Sequence, residues 1–192
     1  MSVETFEKAC QVNDECITLG GGEPTIHPMF FQYVGIALSY SGEVSVITNG
    51  KETDVALRLA SMAKRGILSA SLSLDAYHET IDEKVVKAFA KSNKKFNYFQ
   101  TNDDFDLRGI RTVHRIIASG RGKNISGSEK SCICPELIIE PDGTIYACAC
   151  QTKSFGTVFD YSIPNDYSYG DCWEWQLAQK EKQAELAELQ PA

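Results

Sequence analysis

Apolar positions between residues 2 and 100 follow two spacings that alternate along the chain. Segments with apolar residues three and four positions apart predict helices, and short runs rich in β-branched residues predict strands. The predicted helices cover residues 2–12, 27–40, 52–64 and 82–92, and the predicted strands cover residues 16–19, 43–48, 67–74 and 96–100. Because helices and strands alternate, the pattern predicts an α/β protein whose parallel strands are joined by right-handed crossovers.

The spacing of the strands narrows this class without choosing one fold. The first three predicted strands begin about 25 residues apart, a βα repeat that fits both barrels and doubly wound sheets. After residue 100 the pattern is weaker. An acidic loop is predicted at Asp103–Asp106, and residues 111–118 fit either a strand or a helical turn.

A hairpin is predicted in the last third of the chain. Leu137–Ile139 and Thr144–Tyr146 are short apolar runs on either side of Pro141-Asp142-Gly143. Proline, aspartate and glycine in this order favour a tight turn for known conformational reasons. A charged amphipathic helix is predicted at residues 171–189.

Composition limits the classes of function that remain. The chain has 192 residues, of which 43% are apolar, and a net charge of −7, which is ordinary for a soluble globular domain with a small appendage. No dense cluster of Lys and Arg suggests a nucleic-acid partner. No apolar run of about 18 residues and no signal peptide are present, so the sequence predicts no membrane span and a cytoplasmic protein.

Small and polar residues follow each of the first three predicted strands. Because the carboxyl ends of neighbouring parallel strands meet at one edge of a sheet, we expect these residues to converge on a ligand. Glycine lets another molecule approach the backbone closely, and proline holds the preceding residue extended. The candidate binding residues are Gly21, Gly22, Glu23, Pro24, Thr48, Asn49, Ser73 and Asp75.

Each of these residues also has an ordinary structural interpretation. A glycine run is consistent with a tight connection from strand to helix, and Asn49-Gly50 is a common turn. Asp75 is suited to capping the next helix. The functional interpretation therefore depends on the three strand ends taken together.

The cysteines suggest a second site. Seven cysteines without an export signal argue against a disulfide framework and favour a metal site or free thiols. Cys132, Cys134, Cys148 and Cys150 form two C-x-C pairs at the open end of the predicted hairpin. Four thiolates at one point suit tetrahedral zinc or an iron–sulfur cluster. Because C-x-C is tighter than C-x-x-C, not all four need bind one ion, and buried thiols without metal are the alternative; Cys172 is a further possible ligand.

The Gly-Gly-Glu-Pro run after a hydrophobic strand resembles the second-strand motif of radical S-adenosylmethionine (SAM) enzymes. Val46–Gly50 and Ser71–Asp75 resemble the family's next two strand ends, and Asp75–Glu79 and Ala118–Gly122 are similar to further segments of it. The resemblance implies a partial (β/α)6 TIM-barrel-like core over residues 1–125. It also implies that the Gly-Gly-Glu-Pro backbone holds the SAM amino group, while polar residues of the next two strands reach its carboxylate and ribose.

The cysteine region resembles the accessory extension, of SPASM or Twitch type, that many radical SAM enzymes carry. The spacing C-x10-G-x4-C from Cys132 to Cys148 is similar to the opening motif of that region, and Phe155–Val158 followed by Trp173 adds to the likeness. The resemblance implies a second domain over residues 126–192 that holds a 4Fe-4S cluster, with structural zinc as the alternative.

One feature of the family is missing from this sequence. The C-x3-C-x2-C motif that holds the SAM-cleaving cluster does not occur, since only Cys10 and Cys16 precede the glycine run. We therefore expect a chain that begins inside the domain and does not generate the 5′-deoxyadenosyl radical alone. Three interpretations remain: the C-terminal portion of an enzyme acting on a peptide or small molecule, one half of a two-chain enzyme whose partner supplies the missing segment, and a non-catalytic SAM- or peptide-binding module.

Overall fold

The computed structural model describes residues 1–13, 15–74, 78–91, 105–106, 110–111, 137–149, 151, 153–167 and 180–181. The contacts divide the chain into two compact units. One unit, here the parallel unit, runs from Cys10 to His114, and the other, here the hairpin unit, combines Met1–Ala9 with Arg115–Ala192. The sequence-based boundary between residues 125 and 126 stays a prediction.

The described elements confirm a mixed α/β protein. The helices are α1 (Val3–Val12), α2 (Phe30–Tyr40), α3 (Thr53–Lys64) and α4 (Glu83–Ala90), with a short 3-10 helix at Pro24–Ile26. The strands of the parallel unit are β1 (Ile17–Leu19), β2 (Val44–Thr48), β3 (Ser69–Ser73), β4 (Phe105–Asp106) and β5 (Ile110–Arg111). None of the described helices combines the length and apolar character that a membrane span requires.

The strands of the parallel unit form one sheet in the order β1-β2-β3-β5-β4. Strands β1, β2, β3 and β5 pair in parallel, and β4 is antiparallel to β5. Leu19 lies opposite Val46, and Thr48 lies opposite Leu72, so the carboxyl ends of β1, β2 and β3 share one edge. The sequence predicted an acidic loop where β4 forms; the backbone of Phe105–Asp106 instead pairs with β5.

The core of the parallel unit is built from side chains of its predicted strands and helices. Its fully buried side chains include Val46, Leu59, Leu72, Val85 and Phe89. Removing such side chains from water is the main favourable contribution to folding. Alternate residues of β2 are buried, namely Val44, Val46 and Thr48. Thr48, the last residue of the strand, is therefore a polar residue with a buried side chain.

Two helix ends test the sequence rules. The helix predicted from His27 begins instead at Phe30, because His27 precedes Pro28 and is held extended at φ −71° and ψ 128°. His27 Nδ1 accepts the Met29 N–H at 3.1 Å. By contrast, α3 ends as the preference of glycine for the left-handed cap position predicts, since Gly66 follows its last turn with φ 72°.

The hairpin unit contains a four-stranded antiparallel sheet: β6 (Ile138–Ile139), β7 (Thr144–Tyr146), β8 (Ser154–Thr157) and β9 (Asp160–Tyr161). The predicted hairpin is β6–β7, and Gly143 in its turn has φ 91°. A Cβ atom at Gly143 would lie 3.0 Å from both Thr5 Cγ2 and Val158 Cγ2, so the turn packs tightly. The sequence did not predict β8, which has four residues, or β9, which has two, since strands this short give little periodic signal.

Several predictions lie outside the described residues. They are the strand at residues 96–100, the element at 112–118 and most of the helix at 171–189. Of that helix only Lys180 and Glu181 are described, and their backbone is helical.

Candidate functional site

The strand ends meet where the sequence predicted a binding site. Gly20–Gly22 follow β1, Asn49 follows β2, and Ser73 ends β3. Parallel pairing of the three strands brings these segments to the same edge. Asp75, the remaining predicted binding residue at this edge, lies outside the described residues.

The carboxylate of Glu23 joins the loop after β1 to the end of β2. Its Oε1 accepts hydrogen bonds from Thr25 N (3.2 Å), Thr25 Oγ1 (2.5 Å) and Thr48 Oγ1 (2.7 Å). Its Oε2 accepts one from Asn49 N at 2.6 Å. We call Glu23, Thr25, Thr48 and the Asn49 N–H the carboxylate clamp. All four donors are neutral, so the clamp occupies the carboxylate oxygens without adding a positive charge beside them.

The glycines on this edge fall into two kinds. Gly20, Gly21 and Gly22 are exposed, and a Cβ atom built on any of them would meet nothing within 4 Å. Gly21 has φ 106°, a conformation that glycine adopts readily. Gly50, at φ 73°, is buried, and a Cβ there would lie 2.6 Å from Leu72 Cδ1. Gly50 is therefore required by packing, whereas the run after β1 leaves open space above its backbone.

The loop after β2 also contacts the segment after β3. Lys51 Nζ lies 2.8 Å from Glu79 Oε1. The hydrogen bond and the charge of Lys51 lower the pKa of Glu79 from its ordinary value. Both side chains are largely exposed, so this pair contributes little to stability. It does link the segment after β3, which contains His78 and Glu79, to the same edge.

A groove of about 490 Å3 lies beside the clamp in the parallel unit. Its lining includes Thr25, Ile26, His27, Met29, Phe31 and Glu52. Thr25 belongs to both the groove and the clamp, and Ile26 is 67% exposed although it is apolar. A volume of this size is within the range of small-molecule sites.

The predicted metal site falls mostly outside the described residues, which include Cys148 but not Cys132, Cys134, Cys150 or Cys172. Cys148 is 1% exposed and lies just after β7. Its carbonyl accepts the Gln151 N–H at 3.0 Å, which closes a turn leading toward β8. Among the described residues, no three potential metal-ligating side chains lie together. The four-cysteine site stays a prediction.

Sequence reasoning identified Glu23 and Thr48 but did not foresee that they bond to each other. It also missed Thr25, which is 5% exposed and donates twice to Glu23. The available signal was Glu-Pro-Thr itself, because a carboxylate two residues before a threonine is suited to an N-terminal cap of the short helix. The hydrogen bond between Thr48 and Glu23 had no local sequence signal, since the two residues are 25 positions apart.

In comparisons with protein-family models, with curated proteins and with solved structures, nothing matches this chain.

Proposed function

We propose that this chain is the C-terminal portion of a radical SAM protein and binds S-adenosylmethionine at the carboxyl edge of β1, β2 and β3. The proposal includes a specific fold, a partial (β/α)6 TIM-barrel-like core followed by a SPASM- or Twitch-like extension. Gly21, Gly22 and Pro24 would form the loop around the SAM amino group, and Glu23 would hold that loop in place. Asn49, Ser73 and Asp75 are the proposed polar contacts.

The observation that carries the proposal is the open glycine run fixed by a carboxylate clamp. A Cβ at Gly20, Gly21 or Gly22 would meet nothing within 4 Å, so a ligand is able to approach the backbone of three successive residues closely. Pre-organised backbone of this kind lowers the entropy lost when a ligand binds. SAM presents a compact amino-acid end that such a backbone is able to accept.

Charge favours SAM over the phosphate ligands that glycine loops often bind. Phosphate sites use several free backbone N–H groups at a helix start. Here Pro24 has no N–H, and the N–H groups of Thr25 and Asn49 are directed to Glu23. The Glu23 carboxylate adds a negative charge to the loop, which repels phosphate and attracts an ammonium or sulfonium group.

At the cysteine region we propose a 4Fe-4S cluster or a zinc ion on Cys132, Cys134, Cys148 and Cys150. Bound there, a cluster would supply electron transfer or substrate ligation, and zinc would supply a structural crosslink. The parent reaction, reductive cleavage of SAM and hydrogen abstraction from a peptide or small molecule, requires the C-x3-C-x2-C segment. The proposal for this chain is therefore limited to binding.

Isothermal titration calorimetry of the full chain tests the SAM site. We expect SAM to bind and AMP and inorganic phosphate not to bind under the same conditions. Gly22→Ala, which adds only a methyl group in the open space, is expected to weaken binding by about tenfold or more. Equal heats for SAM and phosphate, or undiminished binding to Gly22→Ala, would contradict the proposal.

Iron, sulfide and zinc analysis after anaerobic purification tests the cysteine site. About four iron atoms and four sulfides per chain would support a 4Fe-4S cluster, and one zinc would favour a structural site in a non-catalytic SAM-binding module. Cys134→Ser and Cys150→Ser are expected to lower the bound metal, whereas Cys16→Ser, outside the four-cysteine set, is the matched control. A chain that contains neither iron nor zinc would exclude both the cluster and the zinc site.

A further inference from the structure

The hydroxyl of Thr48 occupies an unusual position between the two strand ends. Thr48 is 1% exposed, and its Oγ1 accepts the Gly50 N–H at 3.0 Å while donating to Glu23 Oε1 at 2.7 Å. A hydroxyl has one proton, and the bond from Gly50 occupies a lone pair. The Thr48 proton is thus directed to Glu23, and the Thr48 side chain connects Glu23 in the loop after β1 to the turn after β2.

The other members of the clamp do not make the same connection. The two bonds from Thr25 are local, since Thr25 is only two residues from Glu23. The Asn49 bond crosses between strands but uses backbone, which any residue would supply. Thr48 is therefore the side chain through which β2 acts on Glu23.

The turn that Thr48 contacts has little freedom to move. A Cβ at Gly50 would lie 2.6 Å from Leu72 Cδ1 and 3.0 Å from Ile81 Cδ1, so the Gly50 backbone lies directly against the core. The Gly20–Gly22 run, in contrast, has open space above it. Between this closely packed turn and the open loop, Thr48 is the side-chain link, and the Asn49 N–H adds a backbone bond to the same carboxylate.

We infer that Thr48 is a positioning residue that sets the conformation of the Gly20–Gly22 loop through Glu23. Without its hydroxyl, Glu23 Oε1 loses its cross-strand side-chain donor, and the Gly50 N–H loses its acceptor. The loop then samples conformations that do not bind ligand, and affinity falls in proportion to the fraction of competent loop. The effect on ligand binding rests on the proposed SAM site, whereas the effect on the loop does not.

The test compares three variants of the full chain by two measurements. Thr48→Val removes the hydroxyl at nearly constant shape, Thr48→Ser keeps it, and Ser41→Ala removes a buried hydroxyl from the opposite end of β1 and β2. The ligand-free readout is the heteronuclear 15N relaxation of the Gly21 and Gly22 amides. The binding readout is the Kd for SAM from calorimetry.

We expect Thr48→Val to increase the motion of the Gly21 and Gly22 amides and to raise the Kd for SAM about tenfold. Thr48→Ser should restore both values to within about twofold of the parent chain. Ser41→Ala should lower stability but leave both values unchanged, a result that a merely destabilising role of Thr48 would not produce. Unchanged relaxation of Gly21 and Gly22 in Thr48→Val overturns the inference.

Two further outcomes remain decisive. Where the parent chain binds no SAM, the proposed function fails, but the relaxation measurement still decides the role of Thr48. Where Thr48→Val does not fold, Glu23→Ala tests the same link from the loop side, since it removes the acceptor of the Thr48 hydroxyl and leaves β2 unaltered. Glu23→Ala is expected to mobilise the Gly21 and Gly22 amides, and parent-like relaxation in that variant overturns the inference equally.

Discussion

The β1–β2 pair is joined at both ends by a buried hydroxyl, but the two hydroxyls donate to different groups. At the amino end, Ser41 Oγ accepts the Glu43 N–H at 3.0 Å and donates to the carbonyl of Glu15 at 3.0 Å. At the carboxyl end, Thr48 accepts from backbone in the same way but donates to the carboxylate of Glu23. Both hydroxyl residues are buried, with exposures of 4% and 1%.

The difference is consistent with the binding edge proposed above. Neutral hydroxyl and backbone groups are sufficient to join the strands at the amino end, so a charged carboxylate is not needed for strand pairing alone. The carboxyl end has that carboxylate and also an exposed glycine run with open space above it. Proteins depart from the simplest structural solution mainly at functional sites, and this edge is where such a departure occurs.

Gly50→Ala is expected to have the largest effect on stability. A positive φ costs alanine about 1–2 kcal/mol, and the clash with Leu72 adds about 1–3 kcal/mol of overpacking. Urea denaturation should show this loss as a lower midpoint. Gly66 has nearly the same φ, 72°, at an exposed position, so Gly66→Ala measures the cost of the backbone conformation by itself. Equal losses for the two variants would mean that the carboxyl edge is not tightly packed at Gly50.

Thr48→Val is expected to destabilise the chain by about 1–3 kcal/mol, because it leaves the buried Gly50 N–H without its acceptor and removes the cross-strand donor to Glu23 Oε1. Ser41→Ala, which disrupts neutral partners only, should cost less, about 1 kcal/mol. Thermal or urea unfolding of both variants at one pH compares the two ends directly. A larger loss for Ser41→Ala would reverse the assignment of the stronger connection to the carboxyl end.

Gly22→Ala is expected to change stability by less than about 1 kcal/mol, since the methyl group meets no atom and a reduced freedom of the unfolded chain is favourable. Its effect on SAM binding should nevertheless be large, as proposed above. This separation of stability from binding is the expected signature of a ligand loop. A strongly destabilised Gly22→Ala variant would instead indicate that the run serves the fold.

Asp142→Asn is expected to have the smallest effect. The hydrogen bond from Thr144 N to Asp142 Oδ1, 2.9 Å, lowers the pKa of the Asp142 carboxyl below its ordinary value. A lowered pKa in the folded state means that the contribution is present above the unfolded pKa, about 3.9, and is lost as pH falls through the folded pKa. Unfolding at pH 7 and about pH 3 should therefore show a small difference from the parent chain that is smaller at the lower pH.

The stability of Asp142→Asn also allows a local carboxylate to be compared with the carboxylate clamp. Asp142 accepts a hydrogen bond from Thr144, two residues away, whereas Glu23 accepts hydrogen bonds from Thr48 and Asn49, which are 25 and 26 residues away along the chain. If Asp142→Asn were as damaging as Thr48→Val, the cross-strand position of Glu23 would have no special importance.

Much of the parallel unit, together with α1, was predictable from local pattern. The helices α1, α3 and α4 and the strands β1, β2 and β3 were confirmed because amphipathic spacing and short runs of apolar or alternating residues indicate which positions are buried. The start of α2 was wrong by three residues, since the constraint of Pro28 on His27 outweighed the apolar pattern. In the hairpin unit, β6 and β7 were found from their turn, but β8 and β9 are too short to carry a period.

The sequence by itself determined that parallel strands would alternate with helices and that glycine and acidic residues would follow their carboxyl ends. These properties depend on the order and spacing of residues that are close along the chain. Only the tertiary structure decided that Glu23 bonds to Thr48 and Asn49 and that Gly50 is closed while Gly20–Gly22 are open. The reason is that such partners depend on strand register and on contacts between distant segments, which no local spacing records.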